Sequence, residues 1–302
     1  MKRIAILHAG KAILPEIWAY QDFFKNHGYE VEPINTTQDY SLEGYDIEWH
    51  LMGTDISFRN NGRIKIHEYI SLSTQPFPAV KNGIKRLLNT KPHLRLFGSP
   101  IVKRDMGFRD EIPFLFRDAG VAPFFFDAEL NASKEFDFVY AGSTHKSRRL
   151  NMLLEAFIRY APENNLLIIG EPSGDIRPEF LSNPNILYTG RVKYQDVPGL
   201  LRKAHFGLNY IPDIYPLNIQ RPLKLLEYCA VGLPVVSTSY FWVNQFEKET
   251  GARFYKLNQD LSNLNINAIN YFEYNIPDIS VYSWENIIIE SGIVEWLDNF
   301  KS

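Results

Sequence analysis

Two short strand-like runs on either side of a predicted helix constrain the fold of this chain more than any other feature. The runs are 206–210 (FGLNY) and 235–239 (VVSTS), and their composition is typical of buried strands. The helix between them is predicted from Pro222 to Val231, because a proline suits its first turn and Gly232 and Pro234 end it. Since parallel strands need a long crossover connection, this order predicts a βαβ unit of a parallel sheet.

The predicted helix carries two different faces. Leu223, Leu226 and Ala230 recur at helical spacing on an apolar side. Lys224 and Glu227 are three residues apart and are therefore neighbours on the other side.

The N-terminal end of this helix has the properties of an anion site. Free N–H groups and the helix dipole point to the crevice above a parallel sheet, and Arg221 and Lys224 add positive charge. Glu227, one turn further on, is placed to accept hydrogen bonds from sugar hydroxyls. On spacing alone, an ordinary amphipathic helix with a solvated Lys–Glu pair is the alternative interpretation.

The segment 221–238, RPLKLLEYCAVGLPVVST, resembles the nucleotide-sugar-binding segment of retaining glycosyltransferases of family 4 and their relatives with the two-Rossmann-domain (GT-B) fold. In that family a Glu of this helix holds the donor ribose, and the matching position here is Glu227. A second Glu usually stands eight positions earlier, where this chain has Ile219. The departure resembles subfamilies with a Pro-x-Lys-Leu-x-Glu pattern, in which Lys224 would help to hold the diphosphate.

The resemblance implies an α/β fold of two doubly wound Rossmann-like domains that face each other across a cleft. A chain of 302 residues with 45% hydrophobic content is long enough for two cores. The stretch 126–136 loses apolar periodicity and is the candidate linker. We therefore expect an acceptor-side domain at 1–128, a nucleotide-sugar-binding domain at 135–282, and a terminal helix at 283–302 that packs back on the first domain.

A glycine turn follows the first predicted strand of the second domain. The turn, GSTHKSR at 142–148, offers backbone N–H groups to a diphosphate, although it lacks the second glycine of a P-loop. The longer segment YAGSTHKSRRLNMLLEAF resembles the opening of the family's donor domain, which makes Ser143, Lys146 and Arg148 candidate phosphate contacts. The alternative is that Lys146 and Arg148 are surface charges of a first helical turn.

Further glycines end two later predicted strands and let a flat base approach the backbone. By resemblance, the residues after Gly190 meet the edge of the base, and the loop from Tyr210 to Arg221 covers the phosphates. The complete set of expected donor-site residues is Gly142, Ser143, Lys146, Arg148, Gly170, Gly190, Val192, Asn218, Gln220, Arg221, Lys224 and Glu227.

The candidate catalytic residue is His67, at the carboxyl end of a strand predicted from Arg63 to Tyr69. A histidine at this edge of a parallel sheet is placed to act on a substrate, with Glu68 beside it to orient or charge it. The alternative is a partly buried histidine bonded to the backbone. Family 4 enzymes often carry a His near this point that faces the donor sugar, which supports the catalytic interpretation.

Charge and motif content exclude several classes of function. A net charge of −3 argues against nucleic acid as a partner, but 63–109 holds ten Lys or Arg against two acids. Such a run is commonly a solvated face, and it also suits an anionic membrane or a lipid-diphosphate substrate. With neither signal peptide nor membrane span recognised at the start, we expect a cytoplasmic protein, peripheral on the inner face of the cell membrane.

The chain also lacks the common motifs of metal and nicotinamide chemistry. It has no Asp-x-Asp, no Gly-x-Ser-x-Gly and no Gly-x-Gly-x-x-Gly, so we expect metal-independent chemistry without a cofactor. Its single cysteine, Cys229, leaves no partner for a disulfide within the chain.

These observations predict a glycosyltransferase of polysaccharide biosynthesis. The resemblance implies transfer of a hexose, with retention, from a nucleoside-diphosphate sugar, expected to be a UDP-sugar, to a saccharide or lipid-linked glycan acceptor. The alternative is a catalytically silent nucleotide-sugar-binding protein or a partner subunit of another transferase, which Ile219 suggests.

Overall fold

The chain divides into two compact units. The computed structural model describes residues 1–10, 14–51, 55, 62–73, 77–127 and 133–300. The first unit is Met1–Ala122 with Val281–Ser302, and the second is Pro123–Ser280. The division after Ala122 precedes the expected linker at 126–136, of which 128–132 lie outside the described residues. Met52, Gly53 and Thr54, the expected end of the third strand and its exit turn, also lie outside them.

The first unit is built on a six-stranded parallel sheet. Its spatial order is β2-β1-β3-β4-β5-β6, so the chain leaves the first strand toward one edge and then returns to build the other, as doubly wound sheets do. The strands are Lys2–His8 (β1), Tyr29–Asn35 (β2), Ile47–Leu51 (β3), Ile64–Tyr69 (β4), Leu94–Phe97 (β5) and Phe114–Phe116 (β6).

The first three helices of this unit begin at prolines, which suit the first helical turn because they lack an N–H that would remain unpaired there. They are Pro15–Asn26 (α1), Pro78–Leu88 (α2) and Pro100–Met106 (α3). The sequence predicts helices at 15–27 and at 78–88, which α1 and α2 confirm within a residue, whereas α3 was missed because it is only seven residues long.

The second unit repeats the same architecture. Its parallel sheet has the order β12-β11-β10-β7-β8-β9. The strands are Phe136–Ala141 (β7), Leu166–Ile169 (β8), Ile186–Tyr188 (β9), Ala204–Asn209 (β10), Val235–Thr238 (β11) and Tyr255–Leu257 (β12). The helices are Leu150–Tyr160 (α4), Pro178–Leu181 (α5), Val197–Arg202 (α6), Leu223–Ala230 (α7), Phe241–Thr250 (α8) and Ile266–Asn270 (α9).

The long helix predicted over 261–274 is wrong. Only the five residues of α9 are helical, because the asparagines around it bond the backbone in turns instead. Asn263 donates from its side chain to the Lys256 carbonyl and accepts from the Asn258 N–H, while Asn265 caps α9.

The end of the chain belongs to the first unit. It forms two helices, Trp284–Glu290 (α10) and Ile293–Asn299 (α11), separated at Gly292, whose φ is +71°. The Trp284 ring lies where a side chain at Gly120 would stand, with an ideal Cβ only 2.5 Å from it. Among the described residues, no helix is long and apolar enough to cross a membrane.

Candidate functional site

Hydrogen bonds from glycine N–H groups connect the carboxyl ends of β7, β8 and β9. Gly142 N–H donates to the Ile169 carbonyl (3.2 Å), and Gly170 N–H donates to Thr189 Oγ1 (3.3 Å). Gly170 has φ +153°, and an added Cβ would lie 2.9 Å from the Gly142 carbonyl oxygen. Glycine is therefore needed at position 170 because two loops meet there backbone to backbone.

The side chain of Thr144 connects the loop after β7 to the loop after β8. Its Oγ1 donates to the Glu171 carbonyl (2.6 Å) and accepts from the Ser173 N–H (2.9 Å). Sequence reasoning missed this residue, although a threonine among polar neighbours in a glycine turn is a common sign of side-chain to backbone bonding. The expected contacts Ser143 and Lys146 lie in the same turn and are exposed.

Tyr228 sets the position of α7 on the sheet. Its hydroxyl accepts from the Ala141 N–H (2.8 Å) and donates to the Leu208 carbonyl (3.4 Å). At Gly207 an added Cβ would lie 2.7 Å from the Tyr228 ring, so the small residue lets the helix approach β10 closely.

The buried face of α7 differs from the one that the sequence predicted. Among the expected apolar positions only Leu226 is buried, and Leu223 and Ala230 are half-buried. The side chains that pack against the sheet are Leu225, Leu226, Tyr228 and Cys229. Spacing alone predicted the wrong stripe because almost every side of this short helix contacts protein.

Lys224 is half-buried and bonded to protein. Its Nζ donates to the Tyr210 carbonyl (3.0 Å) and lies 4.1 Å from the centroid of the Tyr140 ring. Burial lowers the pKa of the Lys224 ammonium well below its usual range, the Arg148 charge lowers it further, and Glu227 opposes both. Glu227 lies one helical turn from this lysine in α7.

Glu227 is also buried, with 6% of its surface exposed. Its Oε1 accepts from the Tyr194 hydroxyl (2.7 Å). Burial raises the pKa of the Glu227 carboxyl to about 7, and Tyr194 and Lys224 reduce the shift. Glu227 therefore does not form a solvated Lys–Glu pair, because its buried carboxyl has lost water that would stabilise its charge.

Tyr194 is a site residue that the sequence did not reveal. Its ring packs against Phe124 and Phe125, at centroid distances of 5.2 and 5.3 Å, and these contacts aim its hydroxyl at Glu227. The available signal was a single aromatic residue shortly after Gly190. Val192, the expected contact to the base, is half-buried between these two positions in the chain.

The remaining donor-site candidates precede α7. Asn218 donates to Asp213 Oδ1 (2.7 Å), and the Arg221 guanidinium lies 5.0 Å from the Trp242 ring centroid. Asn218 Oδ1 and Gln220 Nε2 are buried and have no hydrogen-bond partner within the described part of the chain. Polar atoms of this kind are ready to bond a ligand.

His67 lies in the first unit and is completely enclosed, with 0% of its surface exposed. Its Nδ1 is 3.3 Å from the Tyr69 hydroxyl and its Nε2 is 3.5 Å from Asp55 Oδ2, so these partners are side chains rather than backbone. Burial lowers the pKa of His67 to about 4. An enclosed ring has no surface for a sugar in this conformation, and the catalytic role stays a prediction.

The expected pairing of Glu68 with His67 is wrong. Successive side chains of a strand point to opposite faces, so Glu68 leaves β4 on the side of α1. There its carboxylate accepts from Trp49 Nε1 (2.7 Å) and Tyr20 Oη (3.1 Å) and pairs with Arg117.

Comparison with known proteins agrees with this geometry. Residues 135–259 match the model of the glycosyl transferases group 1 family, and no curated protein matches the sequence. One similar structure is a sucrose-phosphate synthase from Thermosynechococcus elongatus, with a TM-score of 0.67 and 12% identity over 98% of this chain and 99% of that chain. Another is Anabaena HepE in complex with UDP and glucose, with a TM-score of 0.65 and 13% identity over 99% of this chain and 100% of that chain. A third is a glycosyltransferase from Rickettsia africae, with a TM-score of 0.64 and 12% identity over 99% of each chain.

At these identities the structural similarity establishes the fold alone. The two parallel six-stranded sheets with flanking helices are those of the GT-B glycosyltransferases, as the sequence predicted. The match to the glycosyl transferases group 1 model, at residues 135–259, lies within the second unit of this fold.

Proposed function

We propose that the protein transfers a hexose from a UDP-sugar to a saccharide or lipid-linked glycan acceptor, with retention of configuration, as a member of family 4 or a close relative. The observation that carries the proposal is the cluster of buried Glu227 with half-buried Lys224 and Arg148, within the region that matches the group 1 model. A structural neighbour, HepE, is complexed with UDP and glucose, which supports a nucleotide-sugar ligand.

Each charged group of the cluster has a role in this reaction. Glu227 accepts hydrogen bonds from the ribose hydroxyls, and the glycine turn around Gly142 presents backbone N–H groups to the diphosphate. Lys224 and Arg148 stabilise the negative charge that develops as the diphosphate departs. We propose that this step needs no metal ion, because the positive charge comes from side chains and the sequence lacks Asp-x-Asp.

A catalytically silent nucleotide-sugar-binding protein, or a partner subunit of another transferase, is the second candidate, and one residue favours it. Ile219 stands where relatives carry a second Glu, and its apolar side chain removes a donor-sugar contact that the resemblance implies. Such a protein would still bind UDP at Glu227 and Lys224.

Release of UDP from a panel of UDP-hexoses separates the two candidates. We expect UDP release from at least one donor, accompanied by a rise in melting temperature with UDP, because a ligand that binds only the folded state stabilises it. Activity should persist in EDTA. A raised melting temperature without UDP release, with and without candidate acceptors, would favour the silent protein, and neither response would contradict both.

We also propose that the first unit docks on an anionic membrane through α2. Apolar side chains are exposed along this helix, most strongly Phe77 (72%) and Leu87 (79%). Lys81, Lys85 and Arg86 alternate with them, and no acidic residue occurs between 69 and 104. An exposed apolar face with flanking cations is typical of helices that lie in the interface of anionic bilayers.

Sedimentation with lipid vesicles tests this docking. Leu87→Asp is expected to reduce partition onto phosphatidylglycerol vesicles about tenfold, since burying a leucine contributes roughly 1.5–3 kcal/mol. Leu181→Asp, on α5 of the second unit and 47% exposed, is the matched control and should bind like the wild type. Equal binding to phosphatidylcholine vesicles, unaffected by salt, would contradict the proposal.

A further inference from the structure

One face of the first sheet carries ionisable side chains where a buried parallel strand normally carries apolar ones. Glu48 and His50 project from β3, and Lys65 and His67 project from β4 beside them. All four are at least nine-tenths buried, and so is Asp55. Apart from the predicted role of His67, no step of the proposed transfer uses this layer, and burying so many charges costs stability unless they are paired.

The geometry of three of these side chains is close to that of a metal centre. His67 Nε2 lies 3.5 Å and His50 Nε2 lies 3.8 Å from the same Asp55 oxygen, Oδ2, and one ligand atom of each residue lies within 4.8 Å of the others. Neighbouring ligand atoms around a tetrahedral ion with bonds of ~2.0 Å are about 3.3 Å apart. Small side-chain movements would bring the three atoms onto one ion.

Independent evidence for a ligand comes from the histidine nitrogens. Nε2 of His50 and Nε2 of His67 are buried, and each faces Asp55 Oδ2, at 3.8 and 3.5 Å, without the geometry of a hydrogen bond among the described residues. A buried polar atom without a partner destabilises the fold by about 1–3 kcal/mol. An ion between the two nitrogens and this carboxylate oxygen would bond all three.

We propose that His50, His67 and Asp55 bind one divalent transition-metal ion, Zn²⁺ as the best match to two imidazoles and a carboxylate. Glu48 borders this site, with its Oε2 3.7 Å from His50 Nε2. The site goes beyond the proposed transfer reaction, because its ligands all belong to the first unit and the donor-site residues to the second. The ion would stabilise the first unit.

Lys65 opposes metal binding and provides the sharpest test. Its Nζ lies 2.7 Å from Glu48 Oε2 and 3.2 Å from Asp55 Oδ2, so the ammonium holds both carboxylates. A metal ion must displace it, because two cations cannot share these oxygens at such distances. Lys65→Met is therefore expected to bind Zn²⁺ at least tenfold more tightly than the wild type.

The experiment titrates the whole protein, after dialysis against chelator, with Zn²⁺ in a calorimeter. We expect one ion per chain, and a loss of affinity of at least tenfold in His50→Gln and His67→Gln. His205→Gln, an exposed histidine of the second unit, is the matched control and should bind like the wild type.

A measurement on the wild type keeps the proposal testable even where a buried variant fails to fold. X-ray absorption of the zinc-loaded protein should show two imidazole nitrogens in the first shell, with a raised melting temperature. No bound zinc in the wild type, a zinc shell without imidazole, or no gain of affinity in folded Lys65→Met would each overturn the proposal. The layer would then be a network of internal ion pairs.

Discussion

Replacement of Glu227 by alanine is expected to weaken UDP binding at least tenfold. An ionised carboxylate that accepts from ribose hydroxyls makes charge-assisted hydrogen bonds worth about 1.5–3 kcal/mol each, and ~1.4 kcal/mol is a factor of ten. Lys224→Ala should have a similar effect through the diphosphate, because Lys224 is half-buried one helical turn from the glutamate. Calorimetric titration with UDP measures both losses.

The pH dependence of binding adds a second readout of the same site. Burial raises the pKa of Glu227 to about 7, so the ionised form that accepts ribose hydroxyls grows as the pH rises through 7. UDP affinity should therefore increase from pH 6 to pH 8 more in the wild type than in Glu227→Gln. The folded state disfavours the ionised carboxyl, so this group's contribution to stability falls as the pH rises from its ordinary pKa to about 7. Glu227→Gln should accordingly gain stability relative to the wild type above pH 7.

Glu285→Ala is the control, since this glutamate is exposed on α10 of the first unit. It should leave UDP affinity and its pH dependence unchanged. Wild-type affinity in Glu227→Ala, together with an unchanged melting temperature, would mean that the donor site lies elsewhere in the chain.

Arg117→Met is expected to destabilise the first unit by about 3–5 kcal/mol, because it leaves a buried carboxylate without its cation. Arg117 is 2% exposed and pairs with Glu68 on the α1 side of the sheet. Its guanidinium also donates to the Asp118 carbonyl (3.0 Å) and lies 5.0 Å from the Trp284 ring, so it holds the terminal segment as well. Urea unfolding at neutral pH measures the loss of free energy.

Arg104→Met is the matched control, because this arginine is 72% exposed and pairs with its neighbour Asp105 on the surface. Exposed pairs contribute about 0–1 kcal/mol, so its unfolding curve should lie close to that of the wild type. Adding Glu68→Gln to Arg117→Met should recover part of the stability, since the unpaired charge is then removed. Equal stability of Arg117→Met and Arg104→Met would show that the buried pair is not needed.

Local sequence patterns were sufficient for most of the elements. The prolines and glycines that bound α1 and α7 act within a few residues, and the buried strands are continuous apolar runs. The βαβ order then led to the correct fold class, because parallel strands leave few other topologies. The terminal helix was predicted too, and Gly292 divides it because its backbone is left-handed.

The surroundings of the side chains could not be predicted from local patterns, because they depend on residues far apart in the chain. Spacing placed Lys224 beside Glu227, but whether the pair is solvated depends on Tyr194 and Tyr140, which come from other loops and strands. Strand alternation alone would have predicted that Glu68 and His67 point to opposite faces of the sheet. No nearby residue indicated that Arg117, 49 positions away, pairs with Glu68. The chain itself determined its elements and their order, since these follow from contacts within a turn or a strand. Only the tertiary structure decided which charges lose their water, since burial is a property of the packed units and not of any segment alone.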